Sequence, residues 1–259
     1  MDFSARKPQA QGAAERAHAQ APSDASSHHA LQAWGLAGNL AAGMQTEMFS
    51  AEEPLPRGVT LFRQRLDEPA QCQVLDAILD VIHAAPPLRL TMKNGAQLIN
   101  RMTNCGALGW HSDARGYRYL EHHPETGAPW PAIPPDVMAV AVELAARCGV
   151  AGYAPDACLV NLYAADGRLS LHRDHDECDF SWPIVSFSFG AEAVFVLGGF
   201  TRREPVREVL LRSGDVLVLH GPSRTRYHGV KKILSGTAPF EHPAIPARGR
   251  LNLTCRRAR

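Results

Sequence analysis

Hydrophobic and polar positions along the chain follow two different periods, and these periods predict the elements. From Glu68, apolar residues recur at the spacing of one helix face, and Pro86-Pro87 ends this predicted helix. A second helix is predicted from about Asp136 to Arg147, with Gly149 at the position where a glycine often terminates a helix. Both helices precede the region in which the pattern becomes that of strands.

The C-terminal half is predicted to consist of short β-strands separated by turns. The six predicted strands are 157–163, 183–189, 193–197, 206–212, 215–220 and 250–256. Short strands in series favour a sandwich or a double-sheet jelly roll over a parallel α/β sheet, so the predicted fold class is mainly β (α+β). Between the two helices, alternation around an Asn94-Gly95 pair predicts a hairpin with a type I′ turn.

Composition restricts the class of protein further. The chain has 259 residues, of which 45% are hydrophobic and 20% are charged, and this balance is typical of a globular protein. No run of 18 apolar residues occurs, so we expect no membrane partner. The six cysteines include no CxxC pair, which favours reduced thiols and a cytoplasmic location over a disulfide framework.

The first 50 residues differ from the rest of the chain. They contain 13 alanines and few large apolar side chains, so residues 1–50 are predicted to be a disordered tail. Residues 51–259 are predicted to form one domain.

Charge is distributed unevenly along the chain, because residues 201–259 carry 13 basic and 4 acidic side chains while the whole chain has a net charge of +1. A basic third favours a polyanionic partner or an anionic substrate, although a solubilising surface explains it equally well.

Candidate metal ligands concentrate between Ser170 and Glu177, where two histidines and three carboxylates lie within eight residues. On a strand, His172 and Asp174 would point to the same side, and His228 is a candidate third ligand. Two histidines and a carboxylate that leave three coordination positions open are typical of non-haem Fe(II) oxygenases. Zinc accepts the same ligands, but a zinc hydrolase usually adds a nearby catalytic carboxylate and a helical motif.

The last predicted strand separates polar from apolar residues. Its polar side chains occupy alternate positions and are those of Arg250, Asn252, Thr254 and Arg256. Two guanidinium groups on one strand face suit a dicarboxylate, since each presents a planar bidentate fork. On an earlier strand, Asn161 and Tyr163 likewise direct an amide and a phenol to one side.

Taken together, these segments resemble the AlkB family of Fe(II)- and 2-oxoglutarate-dependent dioxygenases, which repair alkylated nucleic-acid bases. The resemblance is carried by Asn161–Tyr163, Ser170–Glu177, Tyr227–Gly229 and Arg250–Arg256, and also by Met102–Gly106, Trp110 and Gly116–Tyr119. It runs from about Leu55 to Arg256. It implies a double-stranded β-helix jelly roll with its core in 155–259, flanking N-terminal helices, and a nucleotide-recognition lid in 88–120 that includes a hairpin.

The resemblance also implies roles for individual residues. The Fe(II) ligands and catalytic residues would be His172, Asp174 and His228. Arg250 and Tyr163 would hold the distal carboxylate of 2-oxoglutarate, while Asn161, Asn252 and Arg256 would hold the rest of it near the metal. With O2 as the other cosubstrate, family members convert 2-oxoglutarate to succinate and CO2 and hydroxylate an N-alkyl group, which leaves as an aldehyde.

The implied substrate is alkylated DNA containing 1-methyladenine or 3-methylcytosine, with RNA as a further candidate. We also expect the protein to be a monomer. Trp110 would stack on one face of the base and the His172 imidazole would close the other, with Tyr117 in the same substrate-binding hairpin region. Asp176 would lie on the same strand face as Asp174 if the strand continues and would accept a hydrogen bond from the exocyclic amine, unless it is a solvated turn residue. Two alternatives stay open. One is a dioxygenase that hydroxylates a protein or a small molecule, and the other is a jelly roll that binds metal without catalysis, although Arg250 and Arg256 argue against the latter.

Overall fold

The computed structural model describes residues 54–259, and the predicted tail 1–50 lies outside them. This part of the chain contains the helices α1 (Glu68–Ala84) and α2 (Pro135–Arg147). Its strands are β1 (Val59–Phe62), β2 (Arg101–Gly106), β3 (Gly109–Asp113), β4 (Gly116–Leu120), β5 (Ala157–Tyr163), β6 (Leu169–His172), β7 (Ile184–Gly190), β8 (Glu192–Leu197), β9 (Arg207–Leu211), β10 (Val216–Leu219), β11 (His228–Leu234) and β12 (Arg250–Arg256). Neither helix is long and apolar enough to cross a membrane.

Two antiparallel sheets form the body of the fold. The larger sheet has the strand order β1-β10-β7-β12-β5-β2, the smaller has the order β6-β11-β8-β9, and β3 and β4 form a separate hairpin. From β5 to β12, most successive strands belong alternately to the larger and the smaller sheet. This arrangement agrees with the predicted mainly β, double-sheet class. The predicted strands 157–163 and 250–256 coincide with β5 and β12.

The two faces of β12 explain how the layers are assembled. Leu251, Leu253 and Cys255 are fully buried and pack in one hydrophobic cluster with the apolar faces of α1 and α2. A second cluster fills the space between the sheets and includes Ile184 of the large sheet and Phe195 of the small one. The polar side chains of β12 are therefore on the face that the small sheet covers.

Local signals in the sequence set the helix ends. The carboxylate of Asp67 accepts a hydrogen bond from the Ala70 amide at 3.0 Å and caps α1, which begins at Glu68 as predicted. Beyond α2, Gly149 has a φ of +83°, and the Val150 amide donates to the Ala145 carbonyl at 2.9 Å. This is the Schellman arrangement, and it confirms the predicted C-terminal glycine.

The prediction of a type I′ turn at Asn94-Gly95 is wrong, although the hairpin is present. The Leu98 amide donates to the Leu90 carbonyl, and the Met92 amide donates to the Ala96 carbonyl at 2.7 Å. A type I′ turn needs a positive φ at both central residues, whereas here Gly95 has a φ of +84° and Asn94 does not have a positive φ. The loop therefore has three residues, and glycine is required only at its last position.

We expect Leu253→Ala to lower the free energy of unfolding by about 2–5 kcal/mol, because the side chain is fully buried between the large sheet and the helices. Urea unfolding followed by circular dichroism measures this change. Val142→Ala, on the exposed side of α2, is the control and should change the free energy of unfolding by less than about 0.5 kcal/mol. An equal loss of unfolding free energy in the two variants would contradict the assignment of Leu253 to the face of β12 that packs against the helices.

Candidate active site

A pocket of about 540 Å³ lies between the polar face of the large sheet, the small sheet and the β3–β4 hairpin. All eleven site residues predicted from the sequence line it. They are Trp110, Tyr117, Asn161, Tyr163, His172, Asp174, Asp176, His228, Arg250, Asn252 and Arg256. Residues separated by more than 140 positions in the chain thus converge on one cavity, and the individual roles of these residues stay predictions.

The three predicted metal ligands form a cluster at this pocket. His172 and His228 are register partners at the ends of β6 and β11, and their ring centroids are 4.5 Å apart. The Nε2 atom of His172 lies 3.7 Å from Oδ1 of Asp174, and that of His228 lies 4.0 Å from Oδ2. One ligand atom from each residue falls within 4.8 Å of the other two, which suits a single metal ion.

Backbone carbonyls fix both imidazoles in the form that binds metal. Nδ1 of His172 lies 2.9 Å from the Ser170 carbonyl oxygen, and Nδ1 of His228 lies 3.0 Å from that of Arg226. Because a carbonyl oxygen can only accept, each Nδ1 carries the proton and each Nε2 keeps its lone pair for a metal. Burial, together with the neighbouring His172, lowers the pKa of His228 to about 4, so this ring is neutral at physiological pH.

Asp174 reaches the cluster for a different reason from the predicted one. Strand β6 ends at His172, so Asp174 and Asp176 lie in the following loop, and the expectation that they continue one strand face is wrong. Arg256 positions Asp174 instead, with its Nε and terminal nitrogen 3.0 and 2.7 Å from Oδ2. Burial alone would raise the pKa of Asp174, but electrostatic attraction, above all to the charge of Arg256, outweighs burial and lowers it, which keeps the carboxylate ionised.

Arg250 has the character of an anion receptor. Its side chain is 1% exposed, and one terminal nitrogen donates to Ser188 Oγ at 2.6 Å. Among residues 54–259, its Nε and its other terminal nitrogen have no hydrogen-bond partner. Burial lowers the pKa of Arg250 to about 10, and burial raises the pKa of the adjacent Tyr163 to about 12, so the phenol stays a donor. A buried guanidinium with unpartnered donors fits a carboxylate of 2-oxoglutarate.

The two asparagines differ in what they offer a ligand. The amide nitrogen of Asn252 donates to Ser186 Oγ and to the Phe187 carbonyl, and its oxygen accepts from Thr254, so its hydrogen bonds lie within the protein. Asn161, its register partner on β5, has a buried Oδ1 without a partner among the described residues. Asn252 therefore shapes the pocket wall, and Asn161 presents an unused acceptor.

The predicted base-binding residues meet at the hairpin side of the pocket. The rings of Trp110 on β3 and Tyr117 on β4 are stacked, with centroids 5.5 Å apart and planes inclined by 21°. The indole Nε1 of Trp110 donates to Oδ2 of Asp176 at 2.9 Å, so Asp176 is more than a solvated turn residue. Tyr117 remains 43% exposed.

Sequence reasoning missed a buried ion pair beside the metal cluster. Arg224 donates to Glu177 at 3.1 Å, and both side chains are 2% exposed. Arginine and glutamate are almost never fully buried unless paired, so neither residue gave a signal that could be interpreted from the chain alone. Glu177 did fall within the acidic run that drew attention to His172.

Comparisons with known proteins agree with this site. A model of the 2OG-Fe(II) oxygenase superfamily matches residues 58–256. The fold and the site thus define an oxygenase of that superfamily, with Fe(II), 2-oxoglutarate and O2 as cofactor and cosubstrates. An alpha-ketoglutarate-dependent dioxygenase AlkB homolog of Caulobacter vibrioides is 45% identical over 194 residues, which are 75% of this chain and 84% of the relative. The alpha-ketoglutarate-dependent dioxygenase AlkB of Salmonella typhimurium is 41% identical, over 80% of this chain and 93% of the relative.

The chain therefore belongs to the AlkB family. The solved structure of OsALKBH1 aligns with a TM-score of 0.69 at 30% identity, and the match covers 79% of this chain and 99% of that one. This likeness and the two antiparallel sheets confirm the predicted jelly roll.

We expect His172→Ala, Asp174→Ala and His228→Ala each to lose stoichiometric Fe(II) binding, because a site with three open positions needs all three protein ligands. Iron content after anaerobic reconstitution and desalting measures the loss. A His228→Ala protein that retains full iron content would place the third ligand elsewhere.

We expect Arg250→Lys to raise the KM for 2-oxoglutarate much more than the KM for the second substrate. Lysine keeps the charge but loses the planar fork and the donor to Ser188. Steady-state succinate formation with each substrate varied in turn measures both constants. An equal rise in the two constants would mean that Arg250 does not bind the cosubstrate.

Proposed function

We propose that this protein is a DNA repair enzyme that oxidatively demethylates N-alkylated bases, chiefly 1-methyladenine and 3-methylcytosine, and that it also accepts RNA. Its products are the repaired base, formaldehyde, succinate and CO2, and it acts as a monomer in the cytoplasm. The observation that carries this proposal is the cluster of His172, Asp174 and His228 beside the buried Arg250, in a chain of the AlkB family.

The side chains divide the chemistry between them. His172, Asp174 and His228 would hold Fe(II), which would supply the redox chemistry that couples the oxidative decarboxylation of 2-oxoglutarate to hydroxylation of the alkyl carbon. Arg250 and Tyr163 bind the distal carboxylate, and Asn161, Asn252 and Arg256 line the path from there to the metal ligands. Arg256 also keeps Asp174 ionised and in place through two hydrogen bonds to Oδ2.

The hairpin side of the pocket suits a base that has left its stack. A target base must be extruded to reach a buried metal, and protein contacts then replace the lost stacking. Trp110 and Tyr117 offer aromatic faces, and Asp176 offers a carboxylate whose Oδ2 is already bonded to Trp110. The other oxygen of Asp176 can accept from the exocyclic amine that adenine and cytosine share. The negative charge also favours the cationic methylated ring over the neutral base.

A basic and aromatic rim supports nucleic acid over a protein or small-molecule substrate. The guanidinium groups of Arg173 and Arg202 lie 5.7 and 5.4 Å from the ring centroid of Tyr227, and all three residues line the pocket. Base recognition commonly combines stacking with phosphate contacts from such side chains.

The test measures succinate and formaldehyde with methylated oligonucleotide, with unmethylated oligonucleotide and with none. We expect methylated oligonucleotide to raise succinate formation and to release formaldehyde in step with it. Slow succinate formation that does not respond to methylation would favour a protein or small-molecule hydroxylase. No succinate under any condition, in protein with full iron content, would favour a metal-binding jelly roll without catalysis.

We expect Asp176→Ala to lose more activity on cationic 1-methyladenine and 3-methylcytosine than on neutral 1-methylguanine and 3-methylthymine. The variant removes the carboxylate that favours a positively charged ring. Demethylation rates on four oligonucleotides that differ only in the lesion measure the selectivity. An equal loss on all four bases would mean that Asp176 only holds Trp110 and does not discriminate between bases.

A further inference from the structure

A chain of polar contacts joins the β3–β4 hairpin to the segment that carries the metal ligand Asp174. The hydroxyl of Tyr119 donates to Oε1 of Glu177 at 2.7 Å, and a terminal nitrogen of Arg224 lies 3.1 Å from Oε2. The other terminal nitrogen of Arg224 donates to the Asp174 carbonyl at 3.2 Å, and its Nε donates to the Trp182 carbonyl at 2.9 Å. Every nitrogen of this guanidinium is therefore used inside the protein.

The hairpin contacts the loop of Asp174 at two adjacent points. Trp110 and Tyr119 are direct cross-strand partners on β3 and β4. Trp110 donates to Asp176, and Tyr119 donates to Glu177, so the pair binds two consecutive carboxylates just after the metal ligand. A shift of the hairpin would thus be transmitted to the segment that carries Asp174.

Stability alone does not account for this ion pair. Burying two charges costs about as much as their attraction returns, so such a pair contributes little to the free energy of unfolding compared with apolar residues of the same size. The pair instead fixes an orientation, because the planar guanidinium of Arg224 and the carboxylate of Glu177 hold each other in one geometry. Arg256 adds a further link, since its Nε is 3.0 Å from Asp174 and 3.4 Å from Glu177.

We propose that Glu177 and Arg224 are positioning residues which, through Tyr119, connect base binding under the hairpin to the placement of Asp174 at the metal. The proposal rests on the proposed function and adds to it a means of coupling. A base bound under the hairpin would fix Tyr119 and, through Glu177 and Arg224, the segment that carries Asp174, so that 2-oxoglutarate is consumed faster with the base than without it.

The first test uses Tyr119→Phe, which removes one hydroxyl and keeps the ring. We expect the ratio of succinate formed with methylated oligonucleotide to succinate formed without it to fall about tenfold, the usual effect of losing one hydrogen bond to a charged group. Formaldehyde per succinate should fall as well. In the anaerobic Fe(II) and 2-oxoglutarate complex, the oligonucleotide should protect the amides of residues 173–177 from hydrogen exchange in the wild type and less so in the variant.

Tyr153→Phe is the matched control. Tyr153 is also buried, but its hydroxyl has no hydrogen-bond partner among residues 54–259, so the same substitution should leave the ratio and the protection at wild-type values. A wild-type ratio and wild-type protection in Tyr119→Phe would overturn the link to the hairpin. So would an equal fall in both variants.

The second test uses Arg224→Lys, which cannot donate to Glu177, Asp174 and Trp182 together. We expect Fe(II) affinity to fall about tenfold or more, as when the outer partners of a metal ligand are removed. The control is Arg63→Lys, which changes an arginine paired with the buried carboxylate of Asp215. Its Fe(II) affinity should stay within about twofold of that of the wild type. Unchanged Fe(II) affinity in Arg224→Lys would overturn the positioning role. This measurement needs no nucleic acid, so it stands even if the wild type demethylates no oligonucleotide.

Discussion

The pairing of β12 with β5 on one side and β7 on the other is the constraint on which the rest of the structure depends. This register sets Arg250 opposite Tyr163 and Asn252 opposite Asn161, so both strands contribute to one polar face. The same register sends Leu251 and Leu253 into the cluster with the helices. Since side chains alternate with a period of two, a slip by one residue would bury the guanidinium groups against α1 and α2 and would dismantle both the core and the site.

The two arginines of β12 have opposite electrostatic situations, and the difference explains their separate uses. Arg256 is paired with the carboxylates of Asp174 and Glu177, and its charge keeps the metal ligand ionised in a buried position. Arg250 is buried with two nitrogens unpartnered among the described residues. Arg256 makes its ion pairs within the protein, whereas two nitrogens of Arg250 are available to an anion from solution. In the proposed enzyme, a single strand thus both positions a metal ligand and binds the cosubstrate.

Periodicity predicted most of this architecture, and its failures have physical causes. Strands β5 and β12 were predicted with their observed bounds, because β5 is a nearly continuous apolar run and β12 alternates cleanly between polar and apolar residues. Strand β11 was missed because Gly229 and the pair Lys231-Lys232 interrupt that alternation, even though it carries His228. Proximity of His172 and Asp174 was expected from a strand, but it comes from a loop held by Arg256, a contact that no local pattern encodes. Burial of Arg224 and Glu177 depends on tertiary packing and has no signature in the sequence.

The two nitrogens of Arg250 that have no hydrogen-bond partner among the described residues also link ligand binding to folding. A ligand that binds the native state and not the unfolded chain adds RT ln(1 + [L]/Kd) to the stability of the fold, about 2.7 kcal/mol at a hundredfold excess over Kd. In the proposed complex, 2-oxoglutarate completes the hydrogen bonding of a side chain that the core has already desolvated. We therefore expect 2-oxoglutarate bound at Arg250 to raise the free energy of unfolding, so that the cosubstrate would act on the protein as a pharmacological chaperone does.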